Sequence, residues 1–535
     1  MTKRLCHLSR NQRLVLDELL VVGGGAMGTG IASVAARAGY VVTIVEPDPA
    51  ARERGAARAA KDGAALKWLD AVPTQSAAKM AIEAVPEKLE LKRAVFKQLD
   101  AALAPDAIIA TNTSSLSVGD LAEGVSHPER VIGLHFFNPP QKMPLVEVVE
   151  REANSDALIE DACAFVERIG KSAVVAGDTP GFIVNRIARP FYLQSIRALA
   201  NEVASVPELD ALARAMGFRM GPFELMDLIG LDVNLATTES VYARLDAERL
   251  APLDMQRALV AQGRLGRKSG SGFYDYSAGE PEKIDLHPDA LGEDEMNVEE
   301  HVAVIGFGGN AEPMVEHLDK HAASVTQIEW DDNLDEIGEE TTIVIDLGDG
   351  ITDRGDVVLD LDARLGAETI LLIDAYASDI DAIAAKMRHP ERLVGYGLLG
   401  SLDSQYAVEI VDTDVVSDDA LELAQEVFEM MGKGVMLVEN RPGLFLGRVV
   451  GSIINEAVIA VHDGVASADD VDLAMKAGVN YPMGPIEWGR EIGGGRLTNI
   501  LRQLADAEGS EFAPHRSLWV LDSEDATEGE SETRT

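Results

Sequence analysis

The run His127-Pro128-Glu129-Arg130-Val131-Ile132-Gly133-Leu134-His135 returns as His389-Pro390-Glu391-Arg392-Leu393-Val394-Gly395-Tyr396-Gly397. Pro180-Gly181-Phe182 returns as Pro442-Gly443-Leu444, and Met220-Gly221-Pro222 as Met483-Gly484-Pro485. The three pairs lie 262 or 263 residues apart in a chain of 535, so the second half repeats the first and one architecture must be built twice. Where the first copy has His135, the second has Gly397. A scaffold kept while a reactive side chain is lost directs the search for chemistry to the first copy.

At 46% hydrophobic residues the chain supports several cores. It contains no apolar run of membrane length, and the basic stretch Met1–Glu18 has no apolar core before a cleavage site, so no spanning helix or secretory signal is expected. Its two cysteines, Cys6 and Cys163, have neither metal-ligand spacing nor a partner framework. A reducing cytoplasm and no metal site follow as expectations. With 47 basic and 90 acidic residues, the net charge of −43 disfavours nucleic acid and anionic membranes as partners. Acids concentrate at Glu293–Glu300, Asp331–Glu340 and Asp522–Glu532. Two readings of that acidity stay open: a solvated surface with an acidic tail, or a halophilic protein whose repulsion is screened by a salt-rich cytoplasm.

The apolar run Leu19-Leu20-Val21-Val22 leads into Gly23-Gly24-Gly25-Ala26-Met27-Gly28, a small-residue helix, and a β-branched run from Tyr40 to Val45 that ends at Glu46. Gly23, Gly25 and Gly28 make a GxGxxG turn: the first permits the turn, the second admits a pyrophosphate, the third allows close helix–strand packing. Glu46 falls where a carboxylate accepts from ribose hydroxyls, which favours NAD over NADP. Further strands are expected at Ala107–Ala110, Val131–Phe137, Leu145–Val149 and Ala173–Val175, giving a parallel, doubly wound α/β Rossmann sheet. Helical periodicity follows over Phe182–Val203, Leu209–Met216, Phe223–Leu228, Leu231–Leu245 and Pro252–Gln262, an all-α domain. The expected division is 1–178 dinucleotide-binding, 179–278 helical, 279–300 acidic linker, 301–440 degenerate Rossmann-like, 441–508 second helical and 509–535 acidic tail. The sheet-plus-helices pair thus occurs twice.

His135 stands at a strand end before a two-proline loop, and Glu147 lies on the next strand. An imidazole beside a carboxylate is the arrangement of a general base whose charged form is stabilised as it takes a proton. A core histidine bonded to a structural acid remains the ordinary alternative.

Several motifs occur in order: the glycine turn with Ala26-Met27-Gly28, Thr111-Asn112-Thr113-Ser114-Ser115-Leu116, Gly133-Leu134-His135-Phe136-Phe137-Asn138-Pro139, and Leu145-Val146-Glu147-Val148-Val149. After them come Asp178-Thr179-Pro180-Gly181-Phe182-Ile183-Val184-Asn185-Arg186 and Gly266-Arg267-Lys268-Ser269-Gly270-Ser271-Gly272-Phe273-Tyr274. Over Leu20 to Tyr276 the chain resembles the L-3-hydroxyacyl-CoA dehydrogenase family, and its two-copy layout resembles tandem members. The resemblance implies NAD as cofactor, an acyl-CoA substrate and oxidation of L-3-hydroxyacyl-CoA to 3-oxoacyl-CoA, as in fatty-acid β-oxidation or related acyl-CoA catabolism. It implies His135 as base, Glu147 as its partner, and Ser114 and Asn185 as donors to the substrate oxygen. Asn138 would place nicotinamide and substrate, while Glu87, Lys92 and Lys268 would be further cofactor contacts beside Gly23, Gly25, Ala26, Met27, Gly28 and Glu46. Ser114 as a helix cap, Asn185 as a helix-start residue and Lys268 as a solvated side chain are the plain alternatives. The segment Pro47–Lys79 is shorter than the family's CoA-contacting excursion, with Lys61 and Lys67 its only lysines before Lys79.

In the second copy Tyr376 falls at Ser114, Gly397 at His135, Gly400 at Asn138 and Gly447 at Asn185, whereas Glu409 persists opposite Glu147. Gly306, Gly308, Ala311 and Glu329 leave dinucleotide binding open there, but no general base remains. The expectation is that this half packs against the first as a second subunit would, through helices such as Val449–Val461, and a further homo-oligomer stays open. A dehydrogenase of a small hydroxy acid without CoA, and a non-catalytic NAD-binding protein, are the competing functions.

Overall fold

The computed structural model describes residues 18–287, 298–306, 310–329, 334–348, 353–376 and 378–522. The amino-terminal stretch with Cys6, residues 288–297 of the expected acidic linker, Gly308 and the tail from 523 lie outside the described residues. The chain forms two compact units. One holds the residues through Ile187 with Ala243–Asp246 and Ala460–Gly484; the other holds Ala188–Tyr242, Ala247–Ile459 and the residues from Pro485. Each unit therefore contains one sheet and draws on both copies of the repeat.

In the first unit the strands are β1 (Glu18–Val22), β2 (Val41–Val45), β3 (Lys67–Leu69), β4 (Met80–Glu83), β5 (Ile108–Thr111), β6 (Val131–Phe136), β7 (Leu145–Glu150) and β8 (Ser172–Gly177). They lie in the order β3-β2-β1-β4-β5-β6-β7-β8. The central strands are continuous apolar runs because both faces are covered by helices. Ile31, Val34 and Ala35 of the helix Ala26–Arg37, and Ile159, Cys163 and Val166 of the helix Asp156–Arg168, pack on Val21, Ile82, Ala110 and Leu134.

The expectation of an all-parallel sheet is corrected at one place: β7 runs antiparallel to β6. The loop 137–144 is too short for a crossover, which needs a dozen or more residues, so the chain can only reverse. The strand β4 carries Glu83 into the sheet, and β3 is a short addition that pairs only with β2. The single helix expected over Phe182–Val203 is two, Val184–Ile187 and Arg189–Ala200. Pro190 has no N–H to donate to the preceding turn, so the helix divides just before it.

The second unit carries β9 (Val298–Ile305), β10 (Ala322–Ile328), β11 (Ile343–Asp346), β12 (Ile370–Asp374), β13 (Leu393–Gly397), β14 (Ala407–Asp412) and β15 (Gly434–Glu439). The order β10-β9-β11-β12-β13-β14-β15 repeats that of the first sheet without its outermost strand. Between β10 and β11 the described residues form only the turn Leu334–Glu336, where the first copy has the helix Pro49–Lys61 and β3.

In each unit the last strand of the sheet is met by the other copy. The Gly177 amide donates to the Val465 carbonyl at 2.7 Å in the first unit, and the Glu439 amide to the Val203 carbonyl at 3.0 Å in the second.

Candidate active site

The first sheet collects its functional residues at the carboxyl ends of β1, β4, β5 and β6, which are parallel and so share one edge. The strand order changes direction between β1 and β4, the place where open α/β sheets bind ligands.

The three glycines divide their work there. Gly23 has φ +116°, and a Cβ on it would lie 2.4 Å from the Ala84 carbonyl oxygen. A Cβ on Gly28 would lie 2.0 Å from the Gly23 carbonyl oxygen, so this position brings helix and strand together. Gly25 faces open space, with nothing within 4 Å of such a Cβ. It precedes the helix Ala26–Arg37, where Gly25 and Ala26 are exposed and Met27 is half-buried. Backbone amides at a helix start, facing space that only a missing side chain keeps open, fit a dinucleotide pyrophosphate. Glu46, just beyond β2, accepts from the Gly24 amide at 2.9 Å and the Asp48 amide at 3.0 Å. Its carboxylate is thereby fixed beside the turn, where it fits ribose hydroxyls and repels a 2′-phosphate.

His135 and Glu147 are directly opposite each other on β6 and β7. The His135 Nδ1 to Glu147 Oε2 distance is 2.5 Å, with His135 6% exposed and Glu147 fully buried. The same carboxylate accepts from the amides of Ile183 at 3.0 Å and Val184 at 2.9 Å, at the start of the helix Val184–Ile187. With Nδ1–H held by the carboxylate, Nε2 is the nitrogen left to accept a proton. Phe137 and Phe182 flank the imidazole, their ring centroids 4.7 and 5.7 Å away. Half-buried Asn185 follows on the helix that Glu147 caps. Asn138 is exposed in the loop after β6.

The serine loop after β5 hangs on Glu87. Its Oε1 accepts from the Ser114 and Ser115 amides at 3.2 Å each, from the Ser115 hydroxyl at 2.9 Å and from the Thr113 hydroxyl. Burial opposes the charge, but Lys92 and these hydroxyls outweigh it and hold the Glu87 carboxyl below its usual range. Ser114 itself is exposed. Lys92 is buried, and its ammonium lies 2.8 and 2.9 Å from the two Glu83 oxygens and 3.1 Å from Glu87. Its three donors are thus directed to carboxylates, and the ammonium anchors Glu87. Lys268, in the second unit, pairs with Asp232.

Sequence reasoning passed over three supports of this edge. Asn112 accepts from the Phe136 amide at 2.8 Å, tying β5 to the strand of His135. Asp178 accepts from the Ser117 hydroxyl and from the Val118 and Gly119 amides at 2.7 to 3.0 Å. Glu83 receives Lys92, the Thr111 hydroxyl and the Val85 amide. Asn112 and Asp178 lay inside the quoted motifs; Glu83 showed no signal beyond being an acid in an apolar run.

Among the described residues of the second copy, the corner equivalent to His135 and Asn185 is filled. Glu409 is opposite Gly397 on β13 and β14, and accepts from the Phe445 amide at 2.7 Å and the Leu446 amide at 3.2 Å. The Tyr376 hydroxyl donates to it at 2.7 Å. A Cβ on Gly397 would lie 3.1 Å from that hydroxyl oxygen, and one on Gly447 would lie 2.6 Å from the Tyr376 ring. The Tyr376 phenol therefore occupies the space of Asn185 and, together with Leu444, whose Cδ1 would lie 2.7 Å from a Cβ on Gly397, that of His135. Arg496 closes the edge, donating to Asp374 at 2.9 Å and to the Leu398 carbonyl at 2.7 Å.

A dinucleotide cradle and an imidazole–carboxylate pair on one sheet edge define a nicotinamide-dependent dehydrogenase. Comparison with known proteins narrows the class. The family model described as 3-hydroxyacyl-CoA dehydrogenase, NAD binding domain, matches residues 18–179 and 284–441, and the model of its C-terminal domain matches 181–276 and 443–533. The 3-hydroxyadipyl-CoA dehydrogenase of Escherichia coli K12 is 35% identical over 93% of this chain and 95% of its own length. A probable 3-hydroxybutyryl-CoA dehydrogenase of Bacillus subtilis is 36% identical over 49% of this chain and 98% of its own. The crystal structure of a 3-hydroxybutyryl-CoA dehydrogenase from E. coli K12 superposes with a TM-score of 0.74 at 32% identity, covering 94% of this chain and 98% of that one. The chain belongs to the 3-hydroxyacyl-CoA dehydrogenase family, with both domains present twice, and is an NAD-dependent oxidoreductase.

Proposed function

We propose that the first copy oxidises L-3-hydroxyacyl-CoA to 3-oxoacyl-CoA, reversibly, within acyl-CoA catabolism such as fatty-acid β-oxidation. The observation that carries this reading is the buried His135–Glu147 pair. His135 Nε2 takes the hydroxyl proton as the C3–H bond breaks and the carbonyl forms. Bound NAD supplies the hydride acceptor. Glu147 keeps the imidazole in the tautomer that accepts at Nε2 and offsets the charge that develops on it. Ser114 and Asn185 donate to the substrate oxygen, and Asn138 orients the reacting groups. Gly25, Ala26, Met27 and Gly28 present amides to the pyrophosphate, Gly23 sets the turn, and Glu46 takes the ribose. Glu87, braced by Lys92, holds the Ser114 loop in register; Lys268 is assigned to the cofactor side by motif alone.

We read the domains as 1–178, 179–278, 301–440 and 441–508, with an acidic linker and tail, and the second copy as an intramolecular partner of the first. No helix among the described residues is long and apolar enough to cross a membrane. The net charge of −43 supports a protein without nucleic-acid or membrane partners, the cysteine usage supports a cytoplasmic one, and the acidity fits either a solvated surface or adaptation to high salt. A melting series from low to molar potassium chloride tests that last point: stability rising with salt supports it, and a flat series removes it.

The competing reading is a dehydrogenase of free hydroxy acids. NADH formation with 3-hydroxybutyryl-CoA and with free 3-hydroxybutyrate separates the two. Turnover of the thioester alone is expected, and equal turnover of the free acid overturns the proposal.

A further inference from the structure

The helix that Glu147 caps is held from its other side by the copy that has lost its chemistry. Within the first unit, Arg186, 2% exposed and next to Asn185, donates to Asp463 at 2.9 Å. Val465 accepts the Gly177 amide, and Asp470 accepts the backbone N–H of Val175, both from β8. The helix Ala468–Val479 then packs on β7, β8 and the helix Val184–Ile187.

Near the end of that helix, the approach is close enough that any side chain larger than glycine's would have to push its neighbours aside. A Cβ on Gly478 would lie 2.7 Å from Leu145 Cδ2, 3.1 Å from Val184 Cγ2 and 3.7 Å from Phe137 Cζ. These three neighbours surround the catalytic pair. Leu145 begins the strand of Glu147, Val184 donates its amide to Glu147, and Phe137 lies against the His135 ring.

The repeat supplies an internal control. Arg448 stands at the position of Arg186 and Asn201 at that of Asp463, each 262 residues away. In the second unit Arg448 is served by Glu508 of its own copy, at 2.5 and 2.9 Å, and Asn201 also donates to Glu508, at 2.7 Å. A charged link from one copy to the other's arginine is thus present at the reactive centre, whereas an amide stands at the same position beside the filled one.

We propose that Asp463 and Gly478 of the second copy are positioning residues for the active site of the first. They fix the start of the helix Val184–Ile187 and with it Glu147 and Asn185. This explains why a copy without a base retains its helical segment against the first sheet. The inference rests on His135 and Glu147 being the catalytic pair.

The test is steady-state kinetics on the full chain with acetoacetyl-CoA and NADH. Asp463→Ala lowers kcat about tenfold and Gly478→Leu about a hundredfold, since small displacements of reacting groups have effects of that size. The KM for NADH stays unchanged, because the glycine turn is not touched. Asp463→Glu recovers most of the rate, and Asn201→Ala, the mirror change, leaves kcat as it was. Full kcat in Asp463→Ala overturns the proposal, as does a parallel loss in Asn201→Ala. Should Gly478→Leu fail to fold, Asp463→Ala decides alone. His135→Ala, run beside them, isolates the underlying reading: if it retains activity, the catalytic assignment falls rather than the positioning one.

Discussion

Glu147 and Glu409 occupy equivalent places on antiparallel strand pairs, and both accept the second and third amides after a Pro-Gly step. The third donor separates them. Glu147 takes an imidazole that keeps a free nitrogen for chemistry; Glu409 takes the hydroxyl of Tyr376, whose phenol, together with Leu444, fills the space of two lost side chains. The glutamate has therefore been retained for two different reasons. Its capping role is needed wherever this helix starts against this strand, and in the first copy it also holds the imidazole that we propose as the base. A buried carboxylate that caps two amides is costly to replace even where no imidazole stands beside it.

This comparison can be broken most sharply at the glutamates. Glu147→Gln lowers kcat about a hundredfold, the loss typical when a base is deprived of its orienting partner. Glu409→Gln leaves kcat unchanged. Equal kinetic effects from the two would mean that Glu147 only caps a helix.

The glycine turn gives the next effect. Gly25→Val fills the space before the helix Ala26–Arg37 and weakens NADH binding at least about tenfold, read by fluorescence titration. Unchanged affinity would place the cofactor elsewhere.

Tyr376→Phe removes the hydroxyl from buried Glu409 and lowers unfolding free energy by about 1–3 kcal/mol, with kcat intact. A rise in NADH stoichiometry in that variant would show the second cleft to be gated by the phenol rather than closed by the surrounding packing.

The smallest effect is a pH dependence of stability. Burial outweighs the donors to Glu409 and pushes its carboxyl from 4.5 up to about 7, and Asp210, likewise buried, rises to about 6. A folded-state value above the unfolded one means that the native protein keeps its proton while the unfolded chain has lost it. The Glu409 contribution to stability therefore declines as pH rises from about 4.5 to about 7 and is flat above. Melting temperatures across that window should show a shallower decline in Glu409→Gln than in the native chain. An identical slope would locate the titration elsewhere.

The glycine turn was legible in the sequence because its constraint is local: a positive φ and two close approaches demand glycine whatever surrounds them. The pairing of His135 with Glu147 was legible because strand alternation and a short loop bring residues twelve apart into register. Three things were not. Tyr376 was placed by alignment at Ser114, but its filling of the Gly397 and Gly447 positions depends on three elements meeting in space. The pairing of Lys92 with Glu83 was hidden because Glu83 sits at the end of a strand that the sequence marked weakly, and the resemblance alone spoke for Lys92. The bond from Arg186 to Asp463 spans 277 residues and had no local signature at all.

The central claim, that one imidazole of the first copy carries the chemistry for the whole chain, is tested most directly by two variants measured side by side. Initial rates of NADH oxidation by acetoacetyl-CoA should fall about 10²–10⁴-fold in His135→Ala. They should remain at the native value in Tyr376→Phe. A His135→Ala protein that turns over at the native rate would contradict the account and move the reaction away from the first copy.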